Sequence, residues 1–378
     1  MRLLFYMSGH GFGHAARDIE IINAVAARQP DTRITIRTSV PDWFLRESLQ
    51  TRVDHAPGEV DTGLVQPDGL TIDEDETARR AARFYGDFAG RVDREVDVIR
   101  TTSPDLVIGD IPPLACAAAD AAGVRSIALG NFTWDWIYQA YPQFERLAPS
   151  VVSQIADAYA RATLALRLPF SGGFASMASV ERAPLVARHS RVARHITRER
   201  LHLDDARPVV LASFGGHGGN VSLGRAAASD AFLLVTTDYH ANTAGTAPSR
   251  VRVIKADTLR AADVSYTDLL AASDVVVSKI GYGIVSECIA SHVPLLYTRR
   301  GRFVEQEVFE RELPEVLRCR HIDAQDLREG DWSEAVAALL AQPAPTQVMP
   351  TNGAEVVADR ILSLMNSDES RGPTHLVI

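Results

Sequence analysis

Cysteine is scarce in this chain: Cys116, Cys288 and Cys319 are the three among 378 residues. They make no disulfide framework and no C-x-x-C pair, which excludes a small disulfide scaffold and a structural zinc site built on paired cysteines. Lysine is scarcer still. Lys255 and Lys279 are the two, and arginine supplies the rest of the 39 basic residues, a bias that reads as genome composition. An excess of positive charge is also missing: 39 basic against 48 acidic residues leave a formal charge of -9. A general nucleic-acid binder carries a basic face, so that class is disfavoured, while a local basic pocket for a small anion is not. Long apolar runs are absent too. Met1 to Met7 is apolar but stops at Ser8-Gly9, too short for a signal core with its cleavage site. No stretch reaches the roughly 20 apolar residues of a membrane span. A cytoplasmic, reducing setting is expected, with room for peripheral membrane contact.

What is present is a globular composition. Hydrophobic residues make up 46% and charged residues 23%, which excludes global disorder. The length suggests two domains.

The chain opens with a buried strand, Arg2 to Met7, a glycine-rich turn from Ser8 to His14, a helix from Ala15 to Arg28 and a second strand from Thr32 to Thr38. That βαβ start implies a parallel sheet with helices on its faces. Residues 51–76 read as irregular, and 75–100 as one charged helical stretch. Strands follow at 105–110 and 124–129, a helix at 151–167 and a short strand at 166–170. A second series begins near 208, with strands at 209–214, 232–235, 251–254, 274–278 and 293–297, and a helix at 283–291. Two β-Gly-rich-α starts about 200 residues apart suggest two Rossmann-like halves. The expected layout is an N-terminal domain over 1–170, a linker region over 171–206, a second domain over 207–350, a C-terminal helix over 351–366 that crosses back to the first domain, and a flexible tail over 367–378.

Five segments carry chemistry. The first is Gly9-His10-Gly11-Phe12-Gly13-His14. Glycines after a first strand let backbone N–H groups approach an anion at a helix start. His14 stands at the sixth position of the dinucleotide fingerprint, and the second strand ends in Arg37-Thr38-Ser39 without an acid for a ribose, so a nicotinamide dehydrogenase is disfavoured. The glycines also argue against a helix that would bring His10 and His14 to one metal. A histidine at this junction suits a general base; a tight turn with a capping histidine is the plainer alternative. The second segment, Ser213 to Asn220, holds Gly215, Gly216, Gly218 and Gly219, and is either a phosphate cradle or a plain turn. In the third, Asp274 to Glu287, a strand runs into Lys279, Gly281, Tyr282 and Gly283, then a helix whose N-terminus suits a diphosphate. Glu287, one turn in, can accept two hydrogen bonds from a ribose diol. The fourth, Thr298 to Glu307, mixes cations with carboxylate and amide groups, as a sugar-phosphate site requires and as an exposed charged loop also shows. The fifth, Asn131 to Tyr138, holds two of the four tryptophans beyond a strand's carboxyl end, where open α/β sheets bind ligands; core packing is at least as good an explanation.

With these segments in place the sequence resembles the GT-B glycosyltransferases. The nearest grouping is that of the peptidoglycan N-acetylglucosaminyltransferase and the plant galactolipid synthases (family 28-like), to which Asp274 to Gln306 is similar. Ser8 to Arg17 and Asn131 to Tyr138 more closely resemble the glycosyltransferase-like N-terminal region of L-arabinokinases. The resemblance implies an α/β fold of two Rossmann-like domains facing across a cleft that closes to complete the site. It implies His14 as the catalytic base. Gly215, Gly216, Ser278, Lys279, Gly281 and Gly283 would take the donor diphosphate, Glu287 the ribose, backbone near Ile254 and Lys255 the base, and Glu305 and Gln306 the donor sugar. Gly11, Gly13, Asp110, Trp134 and Trp136 are acceptor-side candidates. Lys279-Ile280 departs from relatives that carry a small or cationic residue in this turn, and Lys279 adds a charge to the phosphate or alters which donor fits. The implied reaction is inverting transfer of a sugar from a nucleotide-diphosphate donor, UDP by default, to a hydroxyl on a small molecule, glycan or lipid. No metal and no cofactor are expected. Two rivals share the fold: a nucleotide-sugar epimerase with Asp110, Glu305 and Glu307 as acids on the sugar, and a binding module without turnover.

Overall fold

The computed structural model describes residues 1–67, 70–204, 206–214, 223–237 and 251–366. The chain forms two compact units. One comprises Met1–Gly63, Glu74–Val186 and the chain from Asn352; the other comprises Leu64–Asp73 and Ala187–Thr351.

The first unit is built on a seven-stranded parallel sheet. Its strands are β1 (Arg2–Met7), β2 (Arg33–Thr38), β3 (Asp54–Pro57), β4 (Leu106–Asp110), β5 (Ser126–Gly130), β6 (Leu164–Arg167) and β7 (Val180–Arg182), in the order β3-β2-β1-β4-β5-β6-β7. β1 beyond Arg2, and β4 and β5 throughout, are buried and largely apolar, because helices cover both faces of a parallel sheet. The order reverses between β1 and β4, and register places Met7 opposite Asp110 and Asp110 opposite Leu129. The residues that follow these strands therefore gather at one switch point, where open α/β sheets bind ligands.

The second unit repeats the plan with six parallel strands: β8 (Val209–Ala212), β9 (Leu233–Thr236), β10 (Val251–Val253), β11 (Val275–Lys279), β12 (Leu295–Thr298) and β13 (Cys319–His321). Their order is β10-β9-β8-β11-β12-β13, with its reversal between β8 and β11. Its core includes Val210, Val277, Leu296 and Trp332, and also Leu70, which the 64–73 segment supplies.

Several expected bounds change. Residues 51–76 contain β3, and 64–73 belongs to the second unit, anchored by Leu70. The stretch 75–100 is two helices, Glu74–Gly86 and Phe88–Thr102, with Asp87 between them. The expected helix over 151–167 ends at Tyr159, so β6 begins at Leu164, earlier than its apolar run suggested. The 171–206 segment is not a linker throughout. β7 completes the first sheet, whereas the helix Arg194–Arg200 packs against the helix Tyr266–Ala272 of the second unit.

The helix Gly353–Asn366 belongs to the first unit and packs against the first helix, Phe12–Arg28. Its entry is a bridge between Val186 and Asn352, then Gly353, where a Cβ would come within 2.3 Å of the Pro184 carbonyl oxygen. Arg28 reaches Asp359 and Arg360 reaches Glu181 to fasten it. No helix among the described residues is long and apolar enough to cross a membrane. The tail over 367–378 lies outside the described residues.

Candidate functional site

In the first unit the glycine-rich turn leads straight into the first helix, which begins at Phe12, three residues earlier than its apolar pattern indicated. Gly11 stands at the cap with φ 80°, a left-handed conformation that glycine adopts without strain. His14 is thus inside the first helical turn, and the capping-histidine alternative falls. Gly11 and Gly13 are half-buried at this helix start.

His14 Nδ1 lies 3.0 Å from Asp110 Oδ1 and 3.0 Å from Arg17 Nη2. The two contacts compete for one atom. A guanidinium only donates and a carboxylate only accepts, so Nδ1 either donates to Asp110 or accepts from Arg17; because Arg17 Nη2 is already given to Asp110 Oδ1, we assign the Nδ1 proton to the Asp110 contact. Arg17 spends Nη2 and Nε on Asp110 and sends Nη1 to Asn131 Oδ1 at 2.8 Å. Nδ1–H on Asp110 leaves the lone pair of the ring on Nε2. Asp110 is fully buried. Burial alone would raise its carboxyl, but the Arg17 guanidinium, then His14, more than offset this and hold it well below the usual range. The acid therefore stays ionised.

That geometry overturns one expectation. Asp110 cannot be an acid on a donor sugar, because its carboxylate is enclosed and already committed to Arg17 and His14. Trp134 is corrected as well. It is buried, donates its indole N–H to Asp61 Oδ2 at 3.1 Å and stacks on Tyr138, so it is core and not an acceptor platform. Trp136 is half-buried and packs on the Gly172 backbone. Burial, against the hydrogen bonds of Ser8 and Trp134, raises the Asp61 carboxyl.

In the second unit β11 ends at Lys279, and Gly281 precedes the helix Tyr282–Ser291 with no side-chain cap. A Cβ built on Gly281 would meet nothing within 4 Å among the described residues. Gly283 lies in the first turn. Ser278 points the other way: it is buried and donates to the Ser213 carbonyl, tying β11 to β8. Its hydroxyl proton is not available to a phosphate.

Glu287 is buried. Arg188 Nε donates to its Oε1 at 2.7 Å, and Arg188 Nη2 donates to the same oxygen. Oε2 takes no hydrogen bond from the described residues. Tyr266 lies beside this pair. Burial, then the Glu287 charge, push its phenol well above the usual value, and it donates to Ser213 Oγ at 2.8 Å. Asp268 anchors the chain that presents Arg188, accepting from Ser190 Oγ and from the Arg191 and Val192 amides.

Gln306 is buried and already paired. Its amide receives the Arg300 N–H and donates to the Arg300 carbonyl, both at 3.0 Å. It braces the 299–303 loop. Glu305 is buried beside the Arg300 guanidinium at 3.5 Å; Glu307 is exposed. Of the two residues expected at the base, Ile254 is buried with its amide bonded to the Thr236 carbonyl, and Lys255 is exposed. Gly215 and Gly216 lie outside the described residues.

The first unit brings His14 and Asp110 together; the second gathers Lys279, Gly281, Gly283 and Glu287 around one helix start. Sequence reasoning missed Arg17, Asn131, Arg188 and Tyr266. Two of these had a signal: Arg17 stands three residues after His14 and so on the same helical face, and Asn131 opens the fifth segment.

Two parallel sheets, each with its polar residues at a central switch point, are the two halves of the GT-B glycosyltransferase fold. The glycosyltransferase SnogD from Streptomyces nogalater matches with a TM-score of 0.55 at 18% identity, over 97% of this chain and 99% of that one. VinC, a glycosyltransferase solved in complex with dTDP, matches with 0.56 at 18% identity, over 97% and 96%. UGT2 of Phytolacca americana, solved with UDP-2-fluoroglucose and pterostilbene, matches with 0.58 at 12% identity, over 97% and 100%. No family model matches the chain. In sequence the chain is similar to an L-arabinokinase of Arabidopsis thaliana, 30% identical over 358 residues, which make up 94% of this chain and 33% of that protein. The chain thus spans about a third of that relative's length.

Proposed function

We propose that the chain is an inverting, metal-independent glycosyltransferase that moves a sugar from a nucleotide-diphosphate donor to a hydroxyl acceptor. The observation that carries this reading is the contact of His14 Nδ1 with the buried, ionised Asp110. An imidazole held in that tautomer offers Nε2 as a base. The acceptor hydroxyl gives its proton to Nε2 as its oxygen attacks the anomeric carbon on the face away from the nucleotide. Asp110 balances the imidazolium that forms, and the nucleoside diphosphate departs with the pair of electrons from the broken glycosyl bond.

The second unit has the groups to hold the donor. Lys279 and the uncapped helix start at Gly281 and Gly283 suit the diphosphate, through a cation and a helix dipole of about half a charge. Glu287 suits the ribose through Oε2, and Glu305 the sugar. VinC and UGT2 were solved with dTDP and with a UDP-sugar, so both bases belong in the test. Three free thiols suit a reducing, cytoplasmic setting.

The L-arabinokinase match favours a second reading, a sugar-nucleotide-binding module without turnover. Calorimetric binding of UDP, GDP, ADP and dTDP, with Mg²⁺ and with chelator, separates the cases. The proposal expects one diphosphate to bind equally well in both conditions, and a screen with that nucleotide's sugars to show transfer. Binding with no transfer or hydrolysis supports the module. Binding of none overturns both.

A further inference from the structure

Asp18 has no task in the reaction just described. It is fully buried on the first helix, one turn beyond His14 and next to Arg17. Neither of its carboxyl oxygens meets a hydrogen-bond donor among the described residues. An ionised carboxylate in that position would cost several kcal/mol, and such a group sheds its charge instead. Its surroundings act in the same direction. Burial first, then the Asp110 charge, raise the Asp18 carboxyl well above its usual range, against the pull of Arg17.

One acceptor is at hand: Asp110, which His14, one turn back on the same helical face, and the adjacent Arg17 both reach, and whose charge acts on Asp18. Asp110 has capacity for a further donor. Oδ1 takes His14 Nδ1 and Arg17 Nη2, and Oδ2 takes Arg17 Nε, whereas a carboxylate offers about four sites. Two buried neighbouring carboxyls do not both ionise. Arg17 decides which one does: it grips Asp110, which keeps the charge, and Asp18 keeps the proton.

We propose that Asp18 is a positioning residue for His14: it stands as a neutral acid whose O–H donates to Asp110 and holds that carboxylate in place for the imidazole. The location of the proton stands on its own, while its consequence for turnover rests on His14 being the base. With Asp18 neutral, Arg17 and Asp110 cancel. A second negative charge here would favour the imidazolium, which has no lone pair for the acceptor's proton. On the elements packed against this helix Glu355 is exposed, and other charged groups are engaged elsewhere. Asp359 pairs with Arg28 and Arg360 with Glu181, and Asp42 pairs with Arg46 and His55. Asp61, a further acid near His14, accepts from Trp134.

The test compares the whole chain with Asp18→Asn and Asp18→Ala. Asn is neutral and can still donate to Asp110. Near pH 7 the infrared spectrum should lose a protonated-carboxyl band in Asp18→Asn, while the His14 ring titration by NMR and the shape of the pH–rate profile are retained. Asp18→Ala should lower turnover about tenfold, the loss of one hydrogen bond to a charge, with donor KM unchanged, and Asn should restore it. An unchanged band, or a His14 titration moved down by about one unit or more in Asp18→Asn, overturns the proposal, since both signal that a negative charge was removed. If Asp18→Asn does not fold, aspartate-labelled wild-type protein gives the answer. The assigned Asp18 carboxyl carbon should stay at its protonated shift between about pH 5 and 8, above the ordinary carboxylate range, and a titration at an ordinary value overturns the proposal. These spectra do not depend on turnover, so they hold whether or not His14 proves to be the base.

Discussion

The two units place their polar groups at equivalent points of equivalent sheets but prepare them differently. In the first, His14, Arg17, Asp110 and Asn131 satisfy one another within a buried cluster that needs no ligand to be complete. In the second, Glu287 is held by an arginine on one oxygen and keeps the other, and the helix start at Gly281 is uncapped. The comparison teaches a division of labour. A base must be preorganised, because its tautomer and orientation are part of the chemistry. A recognition site must keep polar groups for its ligand. Both arrangements grow from a strand end and the helix that follows it; in the second, the arginine that holds Glu287 stands outside any helix or strand.

Each half of that contrast can be broken separately. The largest effect is expected from Asp110→Asn. It removes the charge that fixes the His14 tautomer and leaves Arg17 buried without its counter-ion, so turnover should fall about a hundredfold or more. Stability should fall by about 3–5 kcal/mol. Steady-state rates and denaturant unfolding check the two losses, and donor affinity at temperatures where the variant is folded should be retained. Glu287→Gln should act in reverse, weakening nucleotide binding by about 10–100-fold, the worth of hydrogen bonds to a charged group, as calorimetry reads. A Glu287→Gln protein that binds normally would show that the ribose is held elsewhere.

Smaller effects test the scaffolds. Gly353→Ala should cost about 1–3 kcal/mol, because its Cβ meets backbone at the entry of the C-terminal helix and the chain must shift; thermal unfolding measures this. Asp268 gives a pH signature. Burial would raise its carboxyl, but hydrogen bonds from Ser265, Val192 and Ser190 bring it down to about 2. A depressed carboxyl stabilises above its unfolded value, about 3.9, and that contribution is lost as pH falls through about 2. Asp268→Asn should therefore unfold at a lower temperature than wild type near pH 6, with the gap narrowing as pH drops from about 4 to 2. A gap independent of pH would contradict the ionised anchor.

Much of this was legible in the sequence. The two βα starts, the positions of His14 and Glu287 and the return of the last helix follow from period, glycine placement and resemblance. What was not legible is who holds whom. Asp110 reads as a free acid until the β1–β4 register sets it opposite Met7. Trp134 reads equally as a stacking surface or as core until its indole is found on Asp61. Gln306 reads as a sugar ligand until its amide closes on the Arg300 backbone. Arg188 stands 99 residues from Glu287, with no periodicity to link them. Helix and strand are local properties, whereas hydrogen-bond partnership across strands is not.

The central claim is that a base in the first unit and a donor site in the second are separable. His14→Ala, assayed for sugar transfer and, on the same sample, for nucleotide-diphosphate binding, tests it most directly. The account predicts transfer reduced by about 10²–10⁴-fold with binding unchanged. Full transfer by His14→Ala would contradict it.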